Sequence, residues 1–137
     1  MTVRTRMLWL LLCTSPALAA EVSVQEARIS LKNYGLVNCL TAPFKEESEL
    51  RTDLGRASGA YHFMGKGAHD IVQNQDTLEI IHDPYQATER FMQEAYDQTP
   101  AASKHTKKKV VSYACLKVYN SPAFEQFIES QDPYLTK

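Results

Sequence analysis

The sequence predicts an all-α fold, a compact bundle of five to six short helices held together by a disulfide. Along most of the chain, apolar residues recur at spacings of three and four, as on one face of a helix. Several of these stretches follow a Ser or Asp in the position that starts a helix. No stretch sustains the alternation of apolar and polar residues that marks a half-buried strand. We therefore expect helices packed on helices around one core.

The first nineteen residues are typical of a cleaved secretory signal peptide. Arg4 and Arg6 precede a short apolar run, residues 7–13, and residues 17–19 (ALA) form a small-residue cleavage signal. The run is much shorter than the ~20 apolar residues that a membrane-spanning helix needs. We therefore expect export of the chain, removal of residues 1–19, and a single helical domain formed by residues 20–137.

The charge of the expected mature chain excludes a general attraction to nucleic acid or anionic lipid. Removal of Arg4 and Arg6 leaves 13 cations against 16 anions, a net charge of −3 with neutral histidine. A basic run at Lys104 and residues 107–109 has no interleaved aromatic residues, which single-strand binding uses. We expect no nucleic-acid partner, and no membrane partner after signal cleavage.

Cys39 and Cys115 are the two cysteines that the mature chain keeps. An even pair in an exported small domain favours a disulfide. The alternative is two separate buried thiols that pack as small hydrophobic side chains.

The first helix is predicted from Ser23 to about Leu40. Residues 23–26 (SVQE) have the form of a capping box, and Pro43 ends the helix. Two apolar rows lie on opposite sides, Ala27, Leu31 and Tyr34 on one and Ile29, Leu36 and Leu40 on the other. A helix that is apolar on two sides is expected at the centre of the fold.

The second helix is predicted from about Lys45 to Met64. Its core stripe has spacings of 4, 3, 4 and 3, and consists of Leu50, Leu54, Ala57, Tyr61 and Met64. The opposite side, here called the α2 back face, consists of Thr52, Gly55, Gly59 and Phe63. Such a row of small residues permits close packing, either within the chain or across a dimer. The alternative is that the helix merely tolerates the two glycines.

The remaining elements follow from local signals. Residues 68–82 suit a helix, although the polar residues 73–76 (QNQD) could break it. Asp83-Pro84 starts a helix to about Asp97 that would bury Ala87, Phe91 and Ala95, with Met92 and Tyr96 beside the contact. Residues 98–109 form a loop. A helix over 110–120 then buries Val111, Ala114, Cys115 and Val118, and Ser121-Pro122 starts the last helix.

No residue pattern points to a catalytic or metal site. The histidines are His62, His69, His82 and His105. They form neither an HExxH pair nor a Cys/His zinc spacing. A disulfide would remove Cys39 and Cys115 as nucleophiles, although a distant His could still lie near either of them in space. We expect a binding protein without cofactor or metal.

Three blocks of the sequence resemble the small periplasmic amidase immunity proteins of bacterial type VI secretion. They are residues 33–40 (NYGLVNCL), residues 57–61 (ASGAY) after an acidic helix start, and residues 113–121 (YACLKVYNS) before the last helix. The blocks stand in the family's order behind a signal peptide and span most of the mature chain. Residues 66–83 are longer and more polar than the family pattern.

The resemblance implies a helical periplasmic protein, often a homodimer, that is not itself a catalyst. Its partner would be a toxic amidase that cuts peptidoglycan peptide stems with a papain-like Cys/His site, which the immunity protein occludes. Two other functions stay open: a periplasmic binding or envelope-stress module without a toxin partner, and a small Cys-dependent periplasmic enzyme.

An element that enters a toxin's cleft should be exposed and tethered by rigid helices at both ends. Two stretches meet this condition, residues 66–76 and residues 98–107. The candidate toxin-binding residues are Lys66, His69, Asp70, Gln73, Asn74, Gln75 and Asp76 in the first, and Ser103, Lys104 and His105 in the second. The α2 back face is the candidate for a dimer or a close helix contact.

Overall fold

The computed structural model describes residues 22–137, and these residues form five α-helices and one small sheet. The elements are α1 (Val24–Thr41), α2 (Glu49–Tyr61), β1 (Val72–Gln73), β2 (Ile80–His82), α3 (Pro84–Gln98), α4 (Val111–Tyr119) and α5 (Pro122–Glu129). A short 3₁₀ turn, Asp132–Tyr134, follows α5. The predicted all-α class is confirmed. The predicted signal peptide, residues 1–19, lies outside the described residues.

Three predicted helix starts are confirmed by their hydrogen bonds. The Ser23 hydroxyl accepts from the Glu26 amide at 3.2 Å, and the Glu26 carboxylate accepts from the Ser23 amide at 3.0 Å. The Asp83 carboxylate accepts from two amides at the start of α3, at 2.9 and 3.1 Å. The Ser121 hydroxyl accepts from the Phe124 amide at 3.2 Å at the start of α5. These local bonds fix where three of the helices begin.

Helix α1 is the central element, because it packs against each of the other four helices. Ala27, Leu31 and Tyr34 are buried as predicted. The second predicted row is only partly confirmed, since Leu36 and Leu40 are half-buried and Ile29 is exposed. Charged groups add to the packing at its start, where Arg28 forms an ion pair with Glu129 at 3.0 Å.

Gly35 lets α1 approach α3 and α5 closely. A Cβ at this position would lie 2.8 Å from Thr88 Cγ2 and 3.2 Å from Phe124 Cζ. We expect Gly35→Ala to lower the free energy of unfolding by roughly 1–3 kcal/mol, because the added methyl overpacks a buried contact. Urea denaturation measures the change.

The matched control is Gly55→Ala. Apart from its chain neighbours and the nearby backbone of α2, no atom of residues 22–137 lies within 4 Å of a Cβ built on Gly55, which is exposed in the middle of α2. Alanine there should raise the free energy of unfolding by up to about 1 kcal/mol through helix propensity. Equal shifts in the two variants would contradict the close approach at Gly35.

Cys39 and Cys115 form the predicted disulfide, which joins α1 to α4. Both residues are buried, and their Cα atoms are 5.9 Å apart. The alternative of two free thiols is excluded. The bond lies within a core that draws on α1, α3, α4 and α5: Leu31, Tyr34, Tyr85, Met92, Tyr96, Ala114, Val118, Phe124 and Ile128.

The buried face of α3 differs from the predicted one, because the helix is rotated about its axis relative to the prediction. Its buried side chains are Tyr85, Thr88, Met92 and Tyr96, whereas Phe91 and Ala95 are only partly buried. The polar residue Thr88 can enter the core because its hydroxyl donates to the Pro84 carbonyl at 2.7 Å. A prediction based on apolar residues alone cannot identify a buried threonine whose hydroxyl is hydrogen-bonded within its own helix.

Helix α2 is shorter and less buried than predicted. It starts at Glu49 and not at Lys45, because the Ser48 hydroxyl accepts from the Arg51 amide at 3.1 Å and caps the helix. None of its residues is buried. In the predicted stripe Leu54, Ala57 and Tyr61 are half-buried, while Leu50 and Met64 are exposed.

Residues 72–82 form a β-hairpin, here called the hairpin, and not a helix. Strands β1 and β2 pair antiparallel, with Val72 opposite His82 and Gln73 opposite Ile80. The strands have two and three residues, which is too short for a recognisable alternation of apolar and polar residues. The polar residues 73–76 do break the helical pattern, as the sequence indicated they could.

Candidate functional site

The two predicted loops close with the same turn. In the first, the Asn74 amide donates to the Glu79 carbonyl at 2.8 Å, and the Leu78 amide donates to the Asn74 carbonyl at 2.9 Å. In the second, the Ser103 amide donates to the Lys108 carbonyl at 2.8 Å, and the Lys107 amide to the Ser103 carbonyl at 3.0 Å. We call residues 74–79 the acidic turn and residues 103–108 the basic turn.

In each turn, the side chain of the first residue accepts hydrogen bonds from backbone amides of the same turn. The Asn74 side-chain oxygen accepts from the amides of Asp76 and Thr77 at 2.8 and 3.0 Å. The Ser103 hydroxyl accepts from the amides of His105 and Thr106 at 3.3 Å each. Asn and Ser favour turns through such bonds to their own backbone. Both turns are therefore ordered before any partner binds.

Each turn contains one non-glycine residue with a left-handed backbone. Leu78 has φ of 59° and Lys107 has φ of 60°. This conformation costs an L-residue other than Gly or Asn roughly 1–2 kcal/mol. Leu78 also leaves 72% of its surface in water. A leucine that is both strained and exposed indicates a role outside the fold itself.

The second strand extends the apolar surface beyond Leu78. Ile80 and Ile81 are 54% and 66% exposed, and Asp76 and Glu79 flank the tip with negative charge. The predicted contact residues ended at Asp76 and so missed these three apolar side chains. Their signal in the sequence was the run LEII, which suited a buried helix equally well.

The candidate residues of the sequence analysis divide by exposure. Those whose side chains are exposed are Lys66, Asp70, Gln73, Gln75, Asp76, Lys104 and His105. Asn74 and Ser103 are half-buried, because their side chains bind the turn backbone. Only His69 is fully buried among them. An exposed contact role for His69 is therefore wrong.

His69 anchors the base of the hairpin instead. The Tyr85 hydroxyl accepts from the His69 amide at 3.2 Å and donates to the His69 carbonyl at 3.1 Å. His69 also pairs with Leu135 in an isolated bridge, so the C-terminal segment covers it. On the other strand, the His82 ring stacks on Tyr134 at 4.0 Å. The C-terminal segment thereby holds both ends of the hairpin.

The buried imidazole of His69 makes the fold sensitive to acid. Among residues 22–137, neither ring nitrogen has a hydrogen-bond partner. Burial lowers the pKa of His69, and the nearby carboxylates of Asp132 and Asp70 only partly oppose this. The unfolded state therefore takes up a proton more readily than the folded state. Stability is present above the unfolded pKa of about 6.5 and is lost as the pH falls below it.

We expect the free energy of unfolding to fall between pH 7.5 and pH 5, by at most about 1.4 kcal/mol per pH unit from this one group. His69→Leu, which cannot be protonated, should flatten that dependence in urea unfolding at several pH values. The control is His105→Asn at an exposed position of the basic turn, which should leave the slope unchanged. A slope that survives His69→Leu would assign the acid sensitivity to other groups.

The two turns belong to loops that join opposite ends of α3. The hairpin directly precedes α3, and the basic turn follows its last residues. Helix α3 has 15 residues and is therefore about 22 Å long. The starting points of the two loops are separated by this length, so we assign them to separate contact surfaces.

The α2 back face is open. Thr52, Gly55, Gly59 and Phe63 are all exposed, and no atom lies within 4 Å of a Cβ built on either glycine. Close packing of this face within the described part of the chain is therefore excluded. A dimer contact and simple tolerance of the glycines remain as predictions.

A polar cleft of about 470 Å³ lies between α1, α2 and α3. Arg51 at the cleft donates to the carbonyls of Thr41 and Phe44, at 3.2 and 2.6 Å, and so satisfies the end of α1. Glu89, which also lines the cleft, accepts from the Tyr34 hydroxyl at 2.5 Å. Burial and this bond raise the pKa of Tyr34. Because Arg51 and Glu89 are each hydrogen-bonded to other groups of the fold, we attribute the cleft to the packing of the three helices.

Comparison with protein-family models, with curated proteins and with solved structures finds no match to this chain. Within residues 22–137, no helix combines the length and apolar character needed to cross a membrane. Over the same range, no group of three or more His, Cys, Asp or Glu side chains is placed to hold a metal ion.

Proposed function

We propose that this protein is a periplasmic immunity protein that binds a type VI secretion peptidoglycan amidase and blocks its active site. The resemblance of the three sequence blocks suggests the class of partner. The exposed, pre-ordered acidic turn with Leu78 at its tip is the observation that carries the binding role. The disulfide disfavours a Cys-dependent enzyme, because neither sulfur is a free thiol.

The hairpin is suited to enter a cleft. Its turn exposes Leu78, with the exposed Asp76 two positions before it and the exposed Glu79 directly after it, and hydrogen bonds inside the turn hold the backbone in place. A pre-ordered loop loses little conformational entropy on binding, so more of the contact energy appears as affinity. A few buried residues near the centre of an interface supply most of its binding energy, and an aliphatic side chain that fills a pocket can be one of them. We therefore assign the hairpin, and not the basic turn, to the amidase cleft.

The homodimer is the second part of the proposal, with the α2 back face as its contact. Gly55 and Gly59 would allow two copies of α2 to approach closely, with Thr52 and Phe63 at the edges of the contact. Gly59→Leu should then convert the dimer into a monomer without loss of the fold. A dimer that persists in this variant would remove the α2 back face from the proposal.

Protection of living cells tests the amidase proposal. Bacteria are made to export a small Cys/His peptidoglycan amidase to their own periplasm, and lysis is followed with and without the full chain. The first candidate is any such enzyme that a neighbouring reading frame proves to encode. We expect the full chain to prevent lysis. A variant that lacks residues 1–19 is the matched control and should not protect, because it would stay outside the periplasm. Lysis at the same rate with and without the full chain would leave the binding or envelope-stress module as the better proposal.

A further inference from the structure

An apolar groove lies at the end of α3 that is remote from the hairpin. It has a volume of about 550 Å³ and is lined by Pro100, Ala101, Ala102, Val110 and Tyr113. Tyr113 is 57% exposed, and Val110 is also exposed. We call this feature the α4 groove, because Tyr113 on α4 forms one of its walls. An exposed tyrosine beside an apolar depression is typical of a protein contact.

The basic turn forms a rim of this groove. The turn is continuous in sequence with the lining residues Ala102 and Val110. At its base, Ala102 pairs with Lys109, and the Val110 amide donates to the Ala101 carbonyl at 2.8 Å. Lys104, Lys107 and Lys108 are exposed on the turn. The neighbouring Lys109 is engaged internally, because its ammonium group donates to the Asp97 carbonyl at 3.2 Å and lies over the Tyr96 ring. The groove thus combines an apolar floor with a positively charged edge.

The acidic turn has the complementary composition. Leu78 is its most exposed apolar side chain, Asp76 and Glu79 stand on either side of it, and Ile80 follows. An apolar anchor between two carboxylates matches an apolar groove with lysines on its edge. Opposite charges at an interface rim orient the partners and speed their encounter. Both halves of a complementary contact are therefore present on one chain.

We propose that the acidic turn of one copy docks into the α4 groove of a second copy. Leu78 would lie against Tyr113 and Val110, while Asp76 and Glu79 would face the lysines of the basic turn. The hairpin joins one end of α3 and the groove lies at the other, about 22 Å along the helix, so we infer that the contact is made between copies. The contact is consequently head-to-tail, and it differs from a two-fold contact through the α2 back face.

A complementation experiment with two variants tests this contact without any amidase. Leu78→Asp removes the anchor and keeps the groove, whereas Tyr113→Asp damages the groove and keeps the anchor. Each variant is made in the Gly59→Leu background, which removes the proposed two-fold contact through the α2 back face. It is then labelled and titrated with itself and with the other, and association is measured by fluorescence anisotropy. We expect the mixed pair to associate at least tenfold more tightly than either like pair, because only the mixed pair has one intact anchor and one intact groove. Analytical ultracentrifugation should show that the mixed pair stops at a one-to-one contact, whereas the unmodified chain forms larger species as its concentration rises.

Three outcomes would overturn the proposal. Like and mixed pairs that associate equally in the Gly59→Leu background would point to a self-contact that uses neither the acidic turn nor the α4 groove. An unmodified chain that stays monomeric at millimolar concentration would mean that another partner occupies the groove. A mixed pair that does not associate, although both variants give the circular dichroism spectrum of the unmodified chain, would show that the two surfaces do not fit.

Salt provides an independent readout of the charged rim. Raising NaCl from 50 to 500 mM should weaken self-association about tenfold, because the rim charges are exposed and screened. Lys104→Gln together with Lys108→Gln should weaken it at low salt and remove most of the salt dependence. An affinity that does not change with salt would contradict the role given to Asp76, Glu79 and the lysines. If the hairpin also enters the amidase cleft, one hairpin cannot make both contacts at once. The self-association experiment does not use the amidase, so it can fail while the protection experiment succeeds, and the reverse also holds.

Discussion

Removal of the Cys39–Cys115 disulfide is expected to lower the free energy of unfolding by up to about 4.5 kcal/mol, in the variant Cys39→Ala/Cys115→Ala. The bond closes a loop with a sequence separation of 76, and a cross-link over that length strongly restricts the unfolded chain. Both cysteines lie in the core that joins α1 and α4, so their loss also leaves small cavities there. A typical domain has only about 5–15 kcal/mol of stability in total. Urea denaturation of the oxidised chain and of the variant measures the difference.

The unmodified chain unfolded under reducing conditions is the control for this prediction, since it loses the bond but keeps both side chains. We expect it to lose most of the same stability. Affinity for the amidase should change little in the variant at temperatures where it stays folded, because the bond is buried and does not belong to the contact surface. A variant that kept its melting temperature but lost affinity would show that the region of the disulfide contacts the partner directly.

Leu78→Gly should move stability and affinity in opposite directions. Glycine adopts a left-handed backbone at no steric cost, so the variant should gain roughly 1 kcal/mol of stability. The same change removes the apolar anchor, and loss of a central anchor typically costs 2 kcal/mol or more of binding energy. We therefore expect a higher melting temperature together with at least about thirtyfold weaker inhibition of the amidase. Thermal unfolding and titration of amidase activity measure the two effects.

Lys107→Gly is the matched control, because Lys107 has the same backbone conformation in the same type of turn. It should gain similar stability and leave amidase inhibition unchanged, since we assign the basic turn to a different surface. Weaker inhibition in Lys107→Gly, with unchanged inhibition in Leu78→Gly, would exchange the roles of the two turns. Loss of stability in both variants would contradict the strain attributed to the left-handed residues.

The elements that the sequence predicts correctly depend on neighbours within a few positions. Ser23, Asp83 and Ser121 start helices through bonds to amides two or three residues later, so their role is visible in the local sequence. The core face of α4 was also predictable, because Ala114, Cys115 and Val118 are buried at regular helical spacing. The cysteine pairing followed from their number and from the expected export.

The features that were missed depend on distant parts of the chain. His69 is buried because it pairs with Leu135, which is 66 positions away in sequence. The hairpin forms from strands of only two and three residues. It is stabilised by hydrogen bonds to the Asn74 side chain and by contacts with the C-terminal segment. The repeated turn could have been found, since Asn74 and Ser103 both stand three residues before a threonine and a left-handed residue follows each threonine.

The position of the disulfide also determines whether proteolytic cleavage in an exposed turn releases a fragment of this protein. Cys39 and Cys115 enclose both exposed turns in sequence, the acidic turn at residues 74–79 and the basic turn at residues 103–108. Exposed loop tips are the preferred sites of proteolytic nicking. A cut in either turn would open the backbone of a covalent ring but would not release a fragment. A nicked molecule should therefore migrate as one chain without reductant and as two with it, and it should keep its helices packed in an environment rich in proteases.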